Sequence, residues 1–207
     1  MILYGSTRSP FVRKVVIVAH ELGLVDRIEL RPSIVSNTAR NAEVGAVNPL
    51  GQIPALVLAD GTALYDSLVI CLYLETLAGK GRLLPADGPA HWDTLTRHAL
   101  GQGMAEALVK LFGERRRNED PLQPAFVAAL TEKLEHGFRA AGAQAWPVGR
   151  FDLGDIALAG AIAYADFRVP TLDWRASGLG DFYAAAQKRP SMQLTELTGT
   201  SPNSAPA

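Results

Sequence analysis

The chain has a single cysteine, Cys71, among 207 residues, which excludes an internal disulfide and any Cys-x-x-Cys redox pair. Cys71 sits inside an apolar helical run, so a buried and inert thiol is expected there. Charge of one sign is also missing. The formal net charge is -1, which gives no electrostatic case for nucleic acid or an anionic membrane as a partner. No charge-free apolar run reaches about 18 residues. Met1-Ile2-Leu3-Tyr4-Gly5 lacks the basic segment and long apolar core of a secretory leader, so a cytoplasmic location is expected. Histidines are few and scattered: the nearest pair, His91 and His98, is seven residues apart, about 10 Å along a helix, too far to share one ion locally. No metal site is expected.

What remains is a globular composition, 48% hydrophobic, long enough for one large domain or two small ones. Up to residue 78 the hydrophobic period changes repeatedly, as alternating strands and helices require. Ile2–Tyr4 reads as a strand, Pro10–Leu22 as a helix ended by Gly23, and Ile28–Pro32 as a second strand parallel to the first. Ser33–Gln52 reads as mostly irregular, with room for one helix. Ala55–Leu58 and Ala63–Tyr65 form a hairpin about Asp60-Gly61, and a helix runs from Leu68 to about Leu77. This predicts a small mixed sheet covered by helices, residues 1–78.

Residues 79–89 are dense in glycine and proline and read as a linker. Beyond it no strand is expected. Ala90 to about Arg117, Gln123 to about Ala141, Ile156 to about Ala165 and a last helix from Gly180 to Lys188 make an all-helical region over 90–198. Arg115-Arg116-Arg117 reads as cations in a helix's last turn, which complement its dipole, in preference to a phosphate patch. Asp152 and Asp155 form a capping box, with Phe151 placed to staple against Ile156. Residues 199–207 are expected to form a disordered tail.

Three local signals carry the chemistry. Pro54 directly precedes an apolar strand; it either merely starts that strand or, as a cis proline, turns the backbone N–H and C=O of Ile53 outward to pair with a peptide ligand. Asp66-Ser67 opens a helix whose unpaired N–H groups suit a carboxylate, while Asp66 suits an ammonium group, the simpler alternative being an ordinary N-cap. Ser9, before Pro10, is the N-cap of the first helix. The topology should bring these loops together at one margin of the sheet.

Ser9-Pro10-Phe11-Val12-Arg13-Lys14, Asn48-Pro49-Leu50-Gly51-Gln52-Ile53-Pro54, Asp66-Ser67 and the Phe151–Asp155 cap jointly resemble the glutathione S-transferases, in particular bacterial members with a Ser-Pro-Phe-Val-Arg-Lys start. The resemblance covers nearly the whole chain, to about Leu197. It implies a thioredoxin-like N-terminal domain with a mixed four-stranded sheet, an all-helical C-terminal domain, a cytoplasmic homodimer, and glutathione as co-substrate in a detoxifying conjugation to a hydrophobic electrophile. It further implies a cis peptide at Pro54, pairing of Ile53 with the cysteinyl unit, Asp66 and Ser67 on the γ-glutamyl end, and Gln52 and Phe11 lining the groove. Ser9 is the expected hydroxyl donor to the sulfur, Thr7 the second choice and Tyr4 a rival from the strand. Asp66 departs from the glutamate of many members. Glutathione-dependent disulfide reduction is disfavoured because Ser9 occupies the position of the cysteine it uses. A non-catalytic binding or scaffold protein on the same fold is the alternative.

Overall fold

The computed structural model describes residues 1–36, 38–115, 123–144, 146 and 149–197. Arg116, Arg117 and the expected tail 199–207 lie outside the described residues.

Strand β1 (Ile2–Gly5) feeds helix α1 (Pro10–Glu21), and β2 (Glu29–Pro32) returns parallel to β1, with Ile2 beside Glu29 and Gly5 beside Pro32. Gly23 ends α1 as expected: its φ of 70° is open to glycine at little steric cost, and it lets Leu24 N–H reach the Ala19 carbonyl at 2.8 Å. Helix α2 (Ala42–Val47) occupies part of the stretch read as irregular, capped by Asn41, whose side chain accepts from Val44 N–H. It is only six residues long, too short to show a period.

Strand β3 (Ala55–Val57) runs antiparallel to β1 and pairs with β4 (Ala63–Leu64), giving the order β2-β1-β3-β4. Tyr65 stands outside β4, and Ile53 leads into an interior strand, not an edge strand. Helix α3 (Ser67–Ala78) closes the sheet unit. The mixed four-stranded sheet with covering helices is the one expected.

The linker folds back on α3 because the buried Glu75 carboxylate accepts the backbone N–H groups of Arg82, Leu83 and Leu84. Leu83 in turn accepts from Leu153 N–H, tying the linker to the second half. Helix α4 (Gly88–Arg115) starts inside the stretch read as linker, and α5 (Pro124–Gly142) follows. Helix α6 (Leu153–Arg168) is buried along Leu153–Ala165, and its alanines and glycines let α4 approach closely. A Cβ on Gly101 of α4 would stand 2.6 Å from the backbone of Ala157 and Leu158. Each fully buried Ile156, Leu158 and Ile162 contributes about 1.5–3 kcal/mol. The capping box at Asp152 and Asp155 is formed as expected.

Helix α7 (Gly180–Gln187) is not the last one. A further helix, α8 (Pro190–Leu194), lies against α1, held where Arg13 donates to the Met192 carbonyl at 3.0 Å and Glu21 accepts from Arg189 and Ser191. Five residues carry no readable period, and these tertiary bonds define it. Among the described residues, no helix is long and apolar enough to cross a membrane.

Candidate active site

The site begins at the C-terminal end of β1. Gly5 lets the chain turn close over α1, since a Cβ there would meet Val12 at 2.7 Å. Ser9 N–H donates to the Ser6 carbonyl at 2.9 Å, and Arg8 N–H donates to the Ser6 hydroxyl at 3.3 Å. Ser9 then caps α1: its backbone is extended and its hydroxyl oxygen accepts from Val12 N–H at 3.4 Å. That bond uses the oxygen and leaves the hydroxyl hydrogen free to donate. Thr7 is exposed, whereas Ser6 and Ser9 are half-buried.

The second loop is shaped by Asn48, which is buried. Its amide donates to the Gln52 carbonyl at 2.8 Å and its oxygen accepts from Leu50 N–H at 3.1 Å. Gly51 completes the turn at a φ of 64°. Gln52 is exposed, Ile53 half-buried and Pro54 buried. The Ile53–Pro54 peptide is cis, as the resemblance implied. Among the described residues, neither backbone polar group of Ile53 makes a hydrogen bond.

The third loop carries Asp66 and Ser67. Asp66 caps α3, its Oδ1 accepting from Leu68 and Val69 N–H at 3.1 and 3.5 Å, so this carboxylate is less free than its sequence position suggested. It is exposed, and Oδ2 makes no hydrogen bond among the described residues. Ser67, at the first position of α3, is buried.

The sheet brings the three loops together: β3 is antiparallel to both β1 and β4, so the loops that follow β1 and β4 leave at the same end of the sheet as the one that leads into β3 through Pro54. Tyr4 itself is drawn elsewhere. Its ring is buried with Val44 and Ala55, and its hydroxyl accepts from Arg31 at 2.9 Å.

Phe11 is half-buried on α1 and borders a small cleft against α4 and α6, shared with Lys14, Gln102 and Ala105. Met104, Leu108 and Leu111 of α4 belong to the core. Sequence reasoning missed the buried charges beside this cleft. Lys14 is 3% exposed, with Nζ 2.8 Å from His98 Nε2 and 2.7 Å from Gln102 Oε1. Burial, aided by the Lys14 charge, pushes His98 down to about 3, so it is a neutral acceptor toward Lys14. The available signal was that α1 is apolar at Val12, Val15, Ile17 and Val18, which leaves Arg13 and Lys14 little solvent face to occupy. Cys71 is buried as expected, and burial raises its thiol to about 12.

A sheet whose paired strands end beside a capped helix, an open backbone step and a second helix start matches one known class. The model of the glutathione S-transferase N-terminal domain matches residues 8–77. A GST-like protein of Escherichia coli K12, YibF, is 30% identical over 183 residues, covering 84% of this chain and 86% of that protein. A glutathione transferase family member from Pseudomonas fluorescens Pf-5, solved with bound glutathione, is 35% identical with a TM-score of 0.88, covering 96% of this chain and 99% of that one. A second structure from that organism, with bound S-(propanoic acid)-glutathione, is 34% identical with a TM-score of 0.82, covering 96% and 100%. The chain belongs to the glutathione S-transferase family.

Proposed function

We propose that this chain is a glutathione transferase that holds glutathione across the three converging loops and conjugates its sulfur to a hydrophobic electrophile. The observation that carries the reading is the backbone of Ile53, unpaired among the described residues, at the end of the sheet where β1 runs on toward Ser9 and β4 toward the start of α3. A peptide laid beside it gains main-chain hydrogen bonds as a short added strand. The likeness to two neighbours holding glutathione or a glutathione thioether supports the same ligand here.

In this reading Ile53 takes the cysteinyl unit, with Gln52, Pro54 and Phe11 lining the groove. The N-terminus of α3 at Ser67 takes the γ-glutamyl carboxylate, and Asp66 Oδ2 takes the amino group. Ser9 is a hydrogen-bond donor and not a base. Its hydroxyl hydrogen, free because the oxygen is the accepting partner of Val12, stabilises thiolate over thiol and lowers a thiol pKa of about 8.5 toward neutrality. The positive end of α1 adds to the effect. The thiol proton leaves to water and the thiolate attacks the electrophilic carbon. With 1-chloro-2,4-dinitrobenzene a C–S bond forms, the C–Cl bond breaks, and chloride departs with the electron pair. Thr7 is the second candidate donor; Tyr4 is the weaker rival because its ring is buried with Val44 and Ala55 and is not on the loop that carries Ser9.

We read the chain as two domains, 1–78 and 90–198, in a cytoplasmic homodimer; exposed Val69 on α3 and Trp92 on α4 support burial of these faces against a second copy. Ser9→Ala is expected to lower the conjugation rate with 1-chloro-2,4-dinitrobenzene by about tenfold or more, the size of losing 1–2 kcal/mol of transition-state stabilisation. Stopped-flow or steady-state kinetics read this, and an unchanged rate refutes the Ser9 assignment. Tight calorimetric binding of glutathione with no turnover over a broad electrophile panel replaces the transferase with a binding protein on the same fold.

A further inference from the structure

Lys14 is a buried cation held by two neutral acceptors. Its Nζ lies 2.8 Å from His98 Nε2 and 2.7 Å from Gln102 Oε1, and among the described residues it forms no ion pair. On α4, His98 is held neutral by burial and by the Lys14 charge, and Glu106 is linked only through Gln102, whose amide nitrogen donates to it at 3.1 Å. The α6 residues beside Lys14, Ala157, Gly160 and Ala161, carry no charge. Burial lowers the Lys14 pKa, opposed at a distance by Cys71 and Asp66 of the α3 segment and by Glu106. A desolvated ammonium without a direct counter-ion keeps its field, because neither water nor a touching carboxylate cancels it.

That field extends to the candidate site. Lys14 borders its small cleft together with Pro10 and Phe11, the two residues that follow Ser9. It lies five residues beyond Ser9, roughly 7.5 Å along the helix axis, and helical side chains lean toward the N-terminus, so the ammonium stands on the order of 10 Å from a sulfur held by the Ser9 hydroxyl. The charge is already felt at Asp66, on another loop of the site, and it already favours a thiolate: it draws the Cys71 thiol down, although burial of Cys71 outweighs it. A unit charge about 10 Å away, at an effective dielectric of about 20, moves a thiol by about one pKa unit. Arg8, on the Ser9 loop itself, is only half-buried, so salt screens its charge more than that of Lys14.

We propose that Lys14, clamped without a counter-ion between His98 and Gln102, stabilises the glutathione thiolate at Ser9 through space, by its buried charge and without touching the ligand. The inference rests on the glutathione transferase reading above and adds a second source of thiolate stabilisation to that same site. Ser9 donates its hydroxyl hydrogen to the sulfur, and Lys14 supplies a fixed positive potential behind the first turns of α1. The thiol proton leaves to water; Lys14 neither gives nor takes it.

Thiolate absorbance of bound glutathione, titrated against pH, reads the thiol pKa without requiring turnover. Lys14→Met is expected to raise that pKa by about one unit, and the rise should persist at high salt because the charge is buried. Gln102→Glu sets a carboxylate against the ammonium while keeping an acceptor oxygen, so it cancels the field yet preserves the tie between α1 and α4; it is expected to raise the thiol pKa in the same direction. A Lys14 that serves only to join the two helices predicts no rise in Gln102→Glu, and this variant decides alone if Lys14→Met does not fold. An unchanged thiol pKa in Gln102→Glu or in folded Lys14→Met, or a rise that vanishes at high salt, overturns the proposal. Glutathione binding is measured by calorimetry in parallel: if glutathione binds and its thiol pKa does not respond, only the role of Lys14 falls, whereas if the wild-type protein binds no glutathione, the transferase reading falls with it.

Discussion

Removing the Asp152 side chain should test how the helical half is held together. Asp152 caps α6, its Oδ1 accepting from Gly154 and Asp155 N–H at 2.9 and 3.1 Å, and it also receives Arg97, at 2.9 Å on Oδ1 and 2.6 Å on Oδ2. Arg97 is 4% exposed, so solvent screens this pair little. Loss of an N-cap costs about 1 kcal/mol, up to about 2. Breaking a buried pair from one side costs about 3–5 kcal/mol, because the surviving charge stays desolvated. Arg97 keeps Asp93 at 2.9 Å and Asp155 at 3.0 Å, so the second figure applies at its lower end. The expected cost of Asp152→Ala is therefore about 4 kcal/mol, a large part of a typical folding free energy. Guanidinium titration followed by circular dichroism measures it as a lower midpoint at an unchanged slope. Asp152→Asn, which keeps the capping oxygen and loses the charge, should fall between wild type and alanine. Arg97→Met combined with Asp152→Ala should cost less than the sum of the two. Burial opposes ionisation of Asp152, but the Arg97 hydrogen bonds and charge hold its carboxyl below the usual range. The contribution is thus fully present above about pH 3.9 and is lost as pH falls through the lower folded value. A loss under 1 kcal/mol, or strict additivity with Arg97→Met, would refute the reasoning.

His98 is held neutral at about 3 in the folded chain against about 6.5 unfolded, so the unfolded state binds the extra proton on acidification. Stability should fall by about 1.4 kcal/mol per pH unit from pH 6.5 downward on this account, and His98→Gln, which retains an acceptor for Lys14, should remove about 2–3 kcal/mol of the loss between pH 6.5 and 4.5 in urea titrations. Gly101→Ala should destabilise by about 3 kcal/mol, since its Cβ meets the α6 backbone and not a flexible side-chain tip; an unchanged melting temperature would contradict the close approach of α4 and α6. Cys71, buried and raised to about 12, should react with a thiol reagent such as dithionitrobenzoate only after denaturant is added, a fast native reaction being the contrary result.

The elements that sequence disclosed are those whose signals are local. Ser9 before Pro10, Gly23 after α1, and Asp152 three residues before Asp155 each act on backbone groups within a turn, so residue type and spacing suffice to read them. Asp66 shows where this stops. Sequence located it at a helix start, but the division of its two oxygens between the cap and an open position depends on side-chain geometry. Short elements resisted for a related reason: α2 and α8 have too few residues to display a period, and α8 is held by contacts with α1 from residues more than 160 positions away.

Sequence by itself determined the mixed sheet followed by helices, the caps, and the three loop segments of the candidate site, because each follows from hydrophobic period or from side chains acting on neighbouring backbone. Only the tertiary structure decided that the Tyr4 ring is buried with Val44 and Ala55 with its hydroxyl accepting from Arg31, and that Lys14 lies desolvated between His98 and Gln102. Burial and electrostatics depend on what distant helices bring to a surface: the apolar residues around α1 leave Lys14 little solvent face, but which groups of α4 meet it is set by the packing of the two helices.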